Sequence, residues 1–150
     1  NGVVMNIRYT DMNGKVIEVK ELEQGTDFIA EIVVENSGEF GRLDEMALNH
    51  IFPSGWQVHN PRMEGSVGSS EPGDSPEYLD VKDDRIYLFY DLADPDRSRR
   101  YDKSEKVFRI GLNASYLGKF YLPSVYTKAM YNESIQSVKP GYWVEVVPLD

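Results

Sequence analysis

From Asp27 to Glu35 the chain alternates with a period of two: Phe28, Ala30, Ile32 and Val34 fall on one side, Glu31 and Glu35 on the other. Such a pattern can be buried on one face only as a β-strand, because a helix would scatter it around its axis. The alternation recurs at Phe108, Ile110, Leu112 and Ala114, at Ile86, Leu88 and Tyr90, and at Tyr142, Val144 and Val146. No long stretch carries the 3.6-residue period of an amphipathic helix. The ten tyrosines and the many Val and Ile residues lean the same way, since aromatic and β-branched side chains suit a pleated surface.

Turn signals divide these runs. Val4–Tyr9 is followed by Asp11-Met12-Asn13-Gly14, an Asn-Gly turn that favours a hairpin, with Lys15–Leu22 expected as the partner strand. Leu43–Phe52 is expected as a strand stopped by Pro53-Ser54-Gly55, and Trp56–His59 as a short one. Asn60–Glu77, rich in Gly, Ser, Pro and Glu, is expected as a surface excursion. Tyr78–Val81 resumes extended structure, and the strand through Ile86 and Tyr90 is apolar or amphipathic on both faces, as a central, covered strand would be. Phe120–Val125 is expected to pair with the Phe108–Ala114 strand across Leu117-Gly118-Lys119, with Pro123 at an edge or a strand end. Seven or eight short antiparallel strands in one domain predict an all-β sandwich of immunoglobulin or fibronectin III type.

The net charge of −9, from 25 acidic and 16 basic residues, argues against nucleic acid as a partner, because neutralising phosphates takes clustered Lys and Arg. It argues equally against contact with an anionic membrane surface. The basic run Arg97-Ser98-Arg99-Arg100 is balanced locally by Asp94, Asp96 and Asp102. The absence of Cys excludes a disulfide, a thiolate zinc site and a Cys nucleophile within the chain. No apolar run approaches the roughly 18 residues of a membrane span, and no signal peptide is visible. The chain opens at Asn1-Gly2-Val3 without an initiator Met and is expected to be a fragment of a much longer protein.

Candidate chemistry is sparse. Asp80-Val81-Lys82-Asp83-Asp84-Arg85 is the densest charged cluster, but it lacks the spaced acidic loop closed by Glu of an EF-hand. Asp83 and Asp84 are adjacent and would point to opposite faces of a strand, and Arg85 is read as the structural partner of a carboxylate or of backbone carbonyls. Asp91-Leu92-Ala93-Asp94-Pro95-Asp96 could form a weak calcium loop, although Asp in a polar turn needs no ion. His50 and His59, the only histidines, lack zinc-motif spacing. Neither a Gly-x-Ser-x-Gly elbow nor a phosphate-binding loop is present. Asn113 and Asn132 begin glycosylation-type triplets. Trp56, Trp143 and the tyrosines could stack on sugars, or simply pack. No catalytic residues, cofactor site or metal site are expected.

Met130-Tyr131 is the remaining feature. Two large apolar side chains on an exposed loop usually cover something. Met adapts to irregular surfaces and Tyr supplies a flat ring with a hydroxyl handle, so the pair could exclude water from a neighbouring electrophile.

Pro53-Ser-Gly-Trp-Gln-Val-His-Asn60, Tyr78-Leu-Asp-Val-Lys-Asp-Asp-Arg-Ile86, Phe108 to Pro123 and Lys128-Ala-Met-Tyr131 together cover much of the chain. Taken in this order, they resemble the C-terminal macroglobulin domain of bacterial alpha-2-macroglobulins, in the Bacteroidetes-like form. The resemblance implies a non-catalytic sandwich within a large peptidase trap that is periplasmic or attached to the envelope, a lipoprotein being one form of such attachment. It implies that the domain docks on the helical thioester domain of the same parent, with Met130 and Tyr131 shielding the reactive bond, and that target peptidases are met by the whole molecule. The alternative is a free-standing sandwich that binds a glycan or a cell-surface partner through exposed coplanar aromatics.

Overall fold

The period-two face of Asp27–Asn36 becomes the middle of the core: Phe28, Ala30, Ile32 and Val34 have no solvent-exposed surface. The structure is a computed structural model that describes residues 1–60, 76, 78–82 and 84–150. Twelve strands are present among the described residues: β1 (Val3–Thr10), β2 (Glu21–Glu23), β3 (Asp27–Asn36), β4 (Leu43–Ile51), β5 (Trp56–Asn60), β6 (Tyr78–Lys82), β7 (Arg85–Leu92), β8 (Glu105–Ala114), β9 (Gly118–Leu122), β10 (Val125–Ala129), β11 (Asn132–Lys139) and β12 (Tyr142–Val147). A single 3-10 turn, Pro95–Arg97, is capped by the Asp94 carboxylate.

The strands form three sheets, in the orders β1-β3-β8-β5, β11-β10-β4-β7-β6 and β2-β12-β9. The inner faces of the first two meet in one apolar cluster, where the Tyr90 ring of β7 packs 5.5 Å from the Phe108 ring of β8. The small third sheet adds Leu22, Leu122, Val144 and Val146 to the same cluster. The expected all-β sandwich is therefore borne out, with more strands than the seven or eight expected.

Several pairings differ from expectation. The Asp11–Gly14 turn does form: the Asp11 carboxylate accepts the amides of Asn13 and Lys15, and Gly14 adopts φ 88°. Lys15–Leu22 nevertheless does not become a hairpin strand. Only a single bridge, Thr10 with Val16, follows the turn; β1 pairs with β3 instead, and β2 runs parallel to β12. Likewise β9 pairs with β12 and not with β8, whose neighbours are β3 and β5. Both choices go with burial of apolar side chains, since Val19, Leu22 and Leu122 all reach the core. The β7 strand is paired on both sides but lies next to the edge strand β6. β9 is an edge strand that ends one residue before Pro123, as a residue without an N–H requires.

On the outer face of the first sheet, Arg8, Glu31 and Arg109 stand in one cross-strand row. Glu31 is buried between the two guanidiniums. Arg8 bonds one carboxylate oxygen, and Arg109 bonds the other through Nε at 2.9 Å. Burial alone would raise the Glu31 pKa. The Arg8 bond and the Arg109 charge outweigh it, so the group stays below the usual carboxylate range. The excursion expected over Asn60–Glu77 falls almost wholly outside the described residues.

Candidate functional site

Met130 and Tyr131 are the two central residues of the hairpin turn joining β10 to β11, where Ala129 faces Asn132. Two-residue hairpin turns usually need left-handed residues, hence Asn-Gly. Among the described non-glycine residues only Glu45 has a positive φ, so Met130 and Tyr131 turn the chain without one. The mismatch is absorbed in β11: Lys128 pairs with Gln136, yet the next residue, Ala129, pairs with Asn132, leaving Glu133, Ser134 and Ile135 as a bulge. Asn132 holds the start of that bulge by accepting the amide and hydroxyl of Ser134 at 3.1 and 2.7 Å. Ile135 drops into the core.

This construction sends both large side chains outward. Met130 is 58% and Tyr131 55% exposed, whereas Ala129 below them is fully buried. The backbone of the turn is nonetheless fixed, because the Met130 amide donates to the carbonyl of Glu45 at 3.0 Å. Glu45 has φ 55° and sits in a bulge of β4, where Asp44 and Glu45 oppose the single residue Asp91. The Asp91 carboxylate accepts the Glu45 amide at 2.9 Å. Glu45, Phe89, Tyr90, Asp91 and Met130 line a shallow depression of about 460 Å³ beside the turn. An apolar wall with an acidic rim thus stands next to two protruding side chains. No group of three metal-ligating side chains occurs among the described residues.

Asp84 and Arg85 do come together, as a clamp at the turn into β7: Nε and Nη2 of Arg85 each bond an Asp84 oxygen at 3.0 Å. The bond from Arg85 holds the Asp84 carboxyl below its ordinary range. The carbonyl of Asp84 accepts the Phe52 amide at 2.7 Å, tying the turn into β7 to the end of β4. Asp83 lies outside the described residues. Asp91, considered for calcium, is instead committed to Glu45, and Asp94 to its cap. Among the described residues Arg42 forms the ion pairs to Asp44 and Asp102, at 2.7 Å and 2.6 Å. His50 is buried and His59 exposed, so they do not share a site.

Trp56 belongs to the core, its ring edge-on to Phe28 at 4.9 Å. Trp143 is 65% exposed beside Tyr121, with centroids 5.5 Å apart and planes at 73°. Sequence reasoning missed the Glu45 bulge and its Asp91 support, because a bulge carries no composition signal of its own. An Asp late in an alternating strand reads equally well as a turn residue.

The sandwich has solved counterparts. No protein-family model matches the sequence, and no curated protein sequence matches it. The crystal structure of native alpha-2-macroglobulin from Escherichia coli, spanning domain MG7 to the C-terminus, superposes with a TM-score of 0.79 at 15% identity, over 99% of this chain and 24% of that one. The fold is that of the C-terminal region of bacterial alpha-2-macroglobulins. Salmonella alpha-2-macroglobulin reacted with methylamine gives a TM-score of 0.76 at 12% identity, over 99% of this chain and 9% of that one. The major pilin subunit of Bacillus cereus, BcpA, gives 0.54 at 12% identity, over 97% of this chain and 40% of that one. The chain therefore spans less than a quarter of each alpha-2-macroglobulin structure named here, and its sandwich is also built, more distantly, into a pilin.

Proposed function

We propose that this chain is the non-catalytic C-terminal macroglobulin domain of a bacterial alpha-2-macroglobulin-type peptidase inhibitor, and that its Met130–Tyr131 turn docks on the neighbouring helical domain and shields a thioester there. The observation that carries the reading is the contrast within the turn: a backbone tied to Glu45 beneath two apolar side chains more than half exposed. A side chain that only filled a gap would be buried, whereas these project from a turn whose backbone is tied to Glu45. Against an electrophile in a neighbouring domain, a thioether and a phenol ring displace water and slow hydrolysis. The action is steric. Cleavage of a bait segment elsewhere in the parent breaks a modest interdomain interface and withdraws the turn. The parent acts in the periplasm or attached to the envelope, and target peptidases meet the whole molecule.

A free-standing glycan-binding sandwich calls for coplanar exposed aromatics. The 73° angle between Tyr121 and Trp143 presents an edge and a face, not a platform, and favours the first reading. The test is thiol release from the full-length parent on treatment with methylamine, the reagent already reacted with the similar Salmonella protein. Slow release in the wild type and fast or spontaneous release in Tyr131→Ala is expected. Equal slow release in both overturns the shielding role, and no thiol in either leaves the turn a docking contact alone.

A further inference from the structure

We infer that Asp91 is the positioning residue of the Met130–Tyr131 turn and acts through the left-handed backbone of Glu45; this rests on the reading of that turn as the docking element. Two consecutive hydrogen bonds carry the connection. Asp91 Oδ1 accepts the Glu45 amide at 2.9 Å, and the Glu45 carbonyl accepts the Met130 amide at 3.0 Å. Between them lies one residue at φ 55°, in a region that non-glycine residues occupy only when their surroundings over-determine it. Asp91 fixes the amide side of Glu45 and the turn fixes its carbonyl side. With the Asp91 bond gone, Glu45 relaxes toward an ordinary strand conformation, and the rotation takes its carbonyl away from Met130.

The rest of the cluster supports this assignment. Arg42 Nη2 lies 3.9 Å from the other Asp91 oxygen while the same guanidinium is engaged with Asp44 and Asp102, so the carboxylate is approached from both sides. Asp91 is the single β7 residue opposite the two-residue β4 bulge, which makes it the one side chain placed to receive the displaced Glu45 amide. Met130 and Phe89 line the same depression as Glu45 and Asp91. The brace therefore sets where the Met130 side chain stands relative to that apolar wall, and so what the turn offers to a partner.

The test is amide hydrogen exchange of the full chain, followed residue by residue by NMR. Asp91→Ala is expected to speed exchange at the Glu45 and Met130 amides by about tenfold, while the core amides of Ile32 and Leu48 keep wild-type rates and Asp91→Asn, which keeps the acceptor oxygen, stays within about twofold of wild type. Glu45→Gly, free to adopt φ 55°, is expected to keep Met130 protected, and Glu45→Val to lose it. Unchanged Met130 exchange in Asp91→Ala overturns the inference. So does a general rise that includes Ile32, because Asp91 would then be a residue of global stability. Exchange is read without any thioester, so a failed brace and a failed shield are separable: thiol release insensitive to Tyr131→Ala removes the shielding role and leaves the exchange result standing.

Discussion

The Tyr9 hydroxyl faces Nε2 of His50 at 3.4 Å across the interior of the sandwich, and Nδ1 of the same ring meets no partner among the described residues. Phe52 packs on the imidazole at 4.3 Å, so the ring sits in a site that disfavours its charged form. Burial pulls the pKa of His50 down from 6.5 to about 3. Between those values the unfolded chain binds a proton that the folded chain refuses. Stability is therefore complete above pH 6.5 and is lost as pH falls toward 3. From pH 7 to pH 5 the expected loss is about 2 kcal/mol, read from urea midpoints, and His50→Leu should flatten most of that slope. A wild-type profile that is flat over this interval would refute the neutral, buried imidazole.

Glu31 offers a second test, because its two arginines differ in environment. The Glu31 and Arg109 side chains are 7% and 12% exposed, while that of Arg8 is 55% exposed. Removing the shared carboxylate takes an ionic partner from both arginines, one of them nearly buried, and Glu31→Ala should cost about 2 kcal/mol at pH 7. Arg8→Ala loses a pair screened by solvent and should cost about 0.5 kcal/mol. Chemical denaturation of the two variants gives the ranking, and equal costs would mean that the row acts as an ordinary surface network.

The alternating strands were the legible part of the fold. Phe28, Ala30, Ile32 and Val34 announce their burial, and the Asn13-Gly14 turn forms where its residues say it should. Which strand pairs with which was not legible, because Lys15–Leu22 and Phe120–Leu122 both lie beside a plausible local partner and both leave it for β12 or its neighbours. Pairing is decided by total apolar burial across the domain, a quantity no short window contains. Met130 and Tyr131 stood out as misplaced hydrophobes, which is a sequence signal. The means of holding them did not, since it depends on a left-handed glutamate and a register shift that arise only when β4, β7 and β10 are already side by side.

Gly141 is required by contact and not by backbone angle. A Cβ there would stand 2.4 Å from the Leu122 carbonyl oxygen and 2.8 Å from the Tyr121 ring. The oxygen belongs to the strand that pairs with β12 and cannot yield without parting that ladder. Gly141→Ala should destabilise the chain by about 1–3 kcal/mol and push Tyr121 off Trp143. The tryptophan emission, dominated at the surface by Trp143, should shift in the folded variant. A normal melting temperature with unchanged emission would show that the third sheet adjusts freely.

The thioether of Met130 should be the first of the described methionines to be oxidised. Met5 and Met46 have no exposed surface and Met12 is only partly exposed, whereas Met130 is 58% exposed on a turn whose backbone is held in place. Mild peroxide followed by peptide mass spectrometry should find sulfoxide at Met130 before Met5 or Met46 reacts. The fold should survive, since no core contact is lost, and the melting temperature should stay near that of the untreated chain. The turn would nonetheless present a polar sulfoxide where the proposed shield needs an apolar cover. In the full-length parent the oxidised domain should therefore release thiol faster on methylamine than the reduced one, and treatment with methionine sulfoxide reductase should restore the slow rate. Oxidation at Met130 with no change in thiol release would assign the shielding to Tyr131 alone.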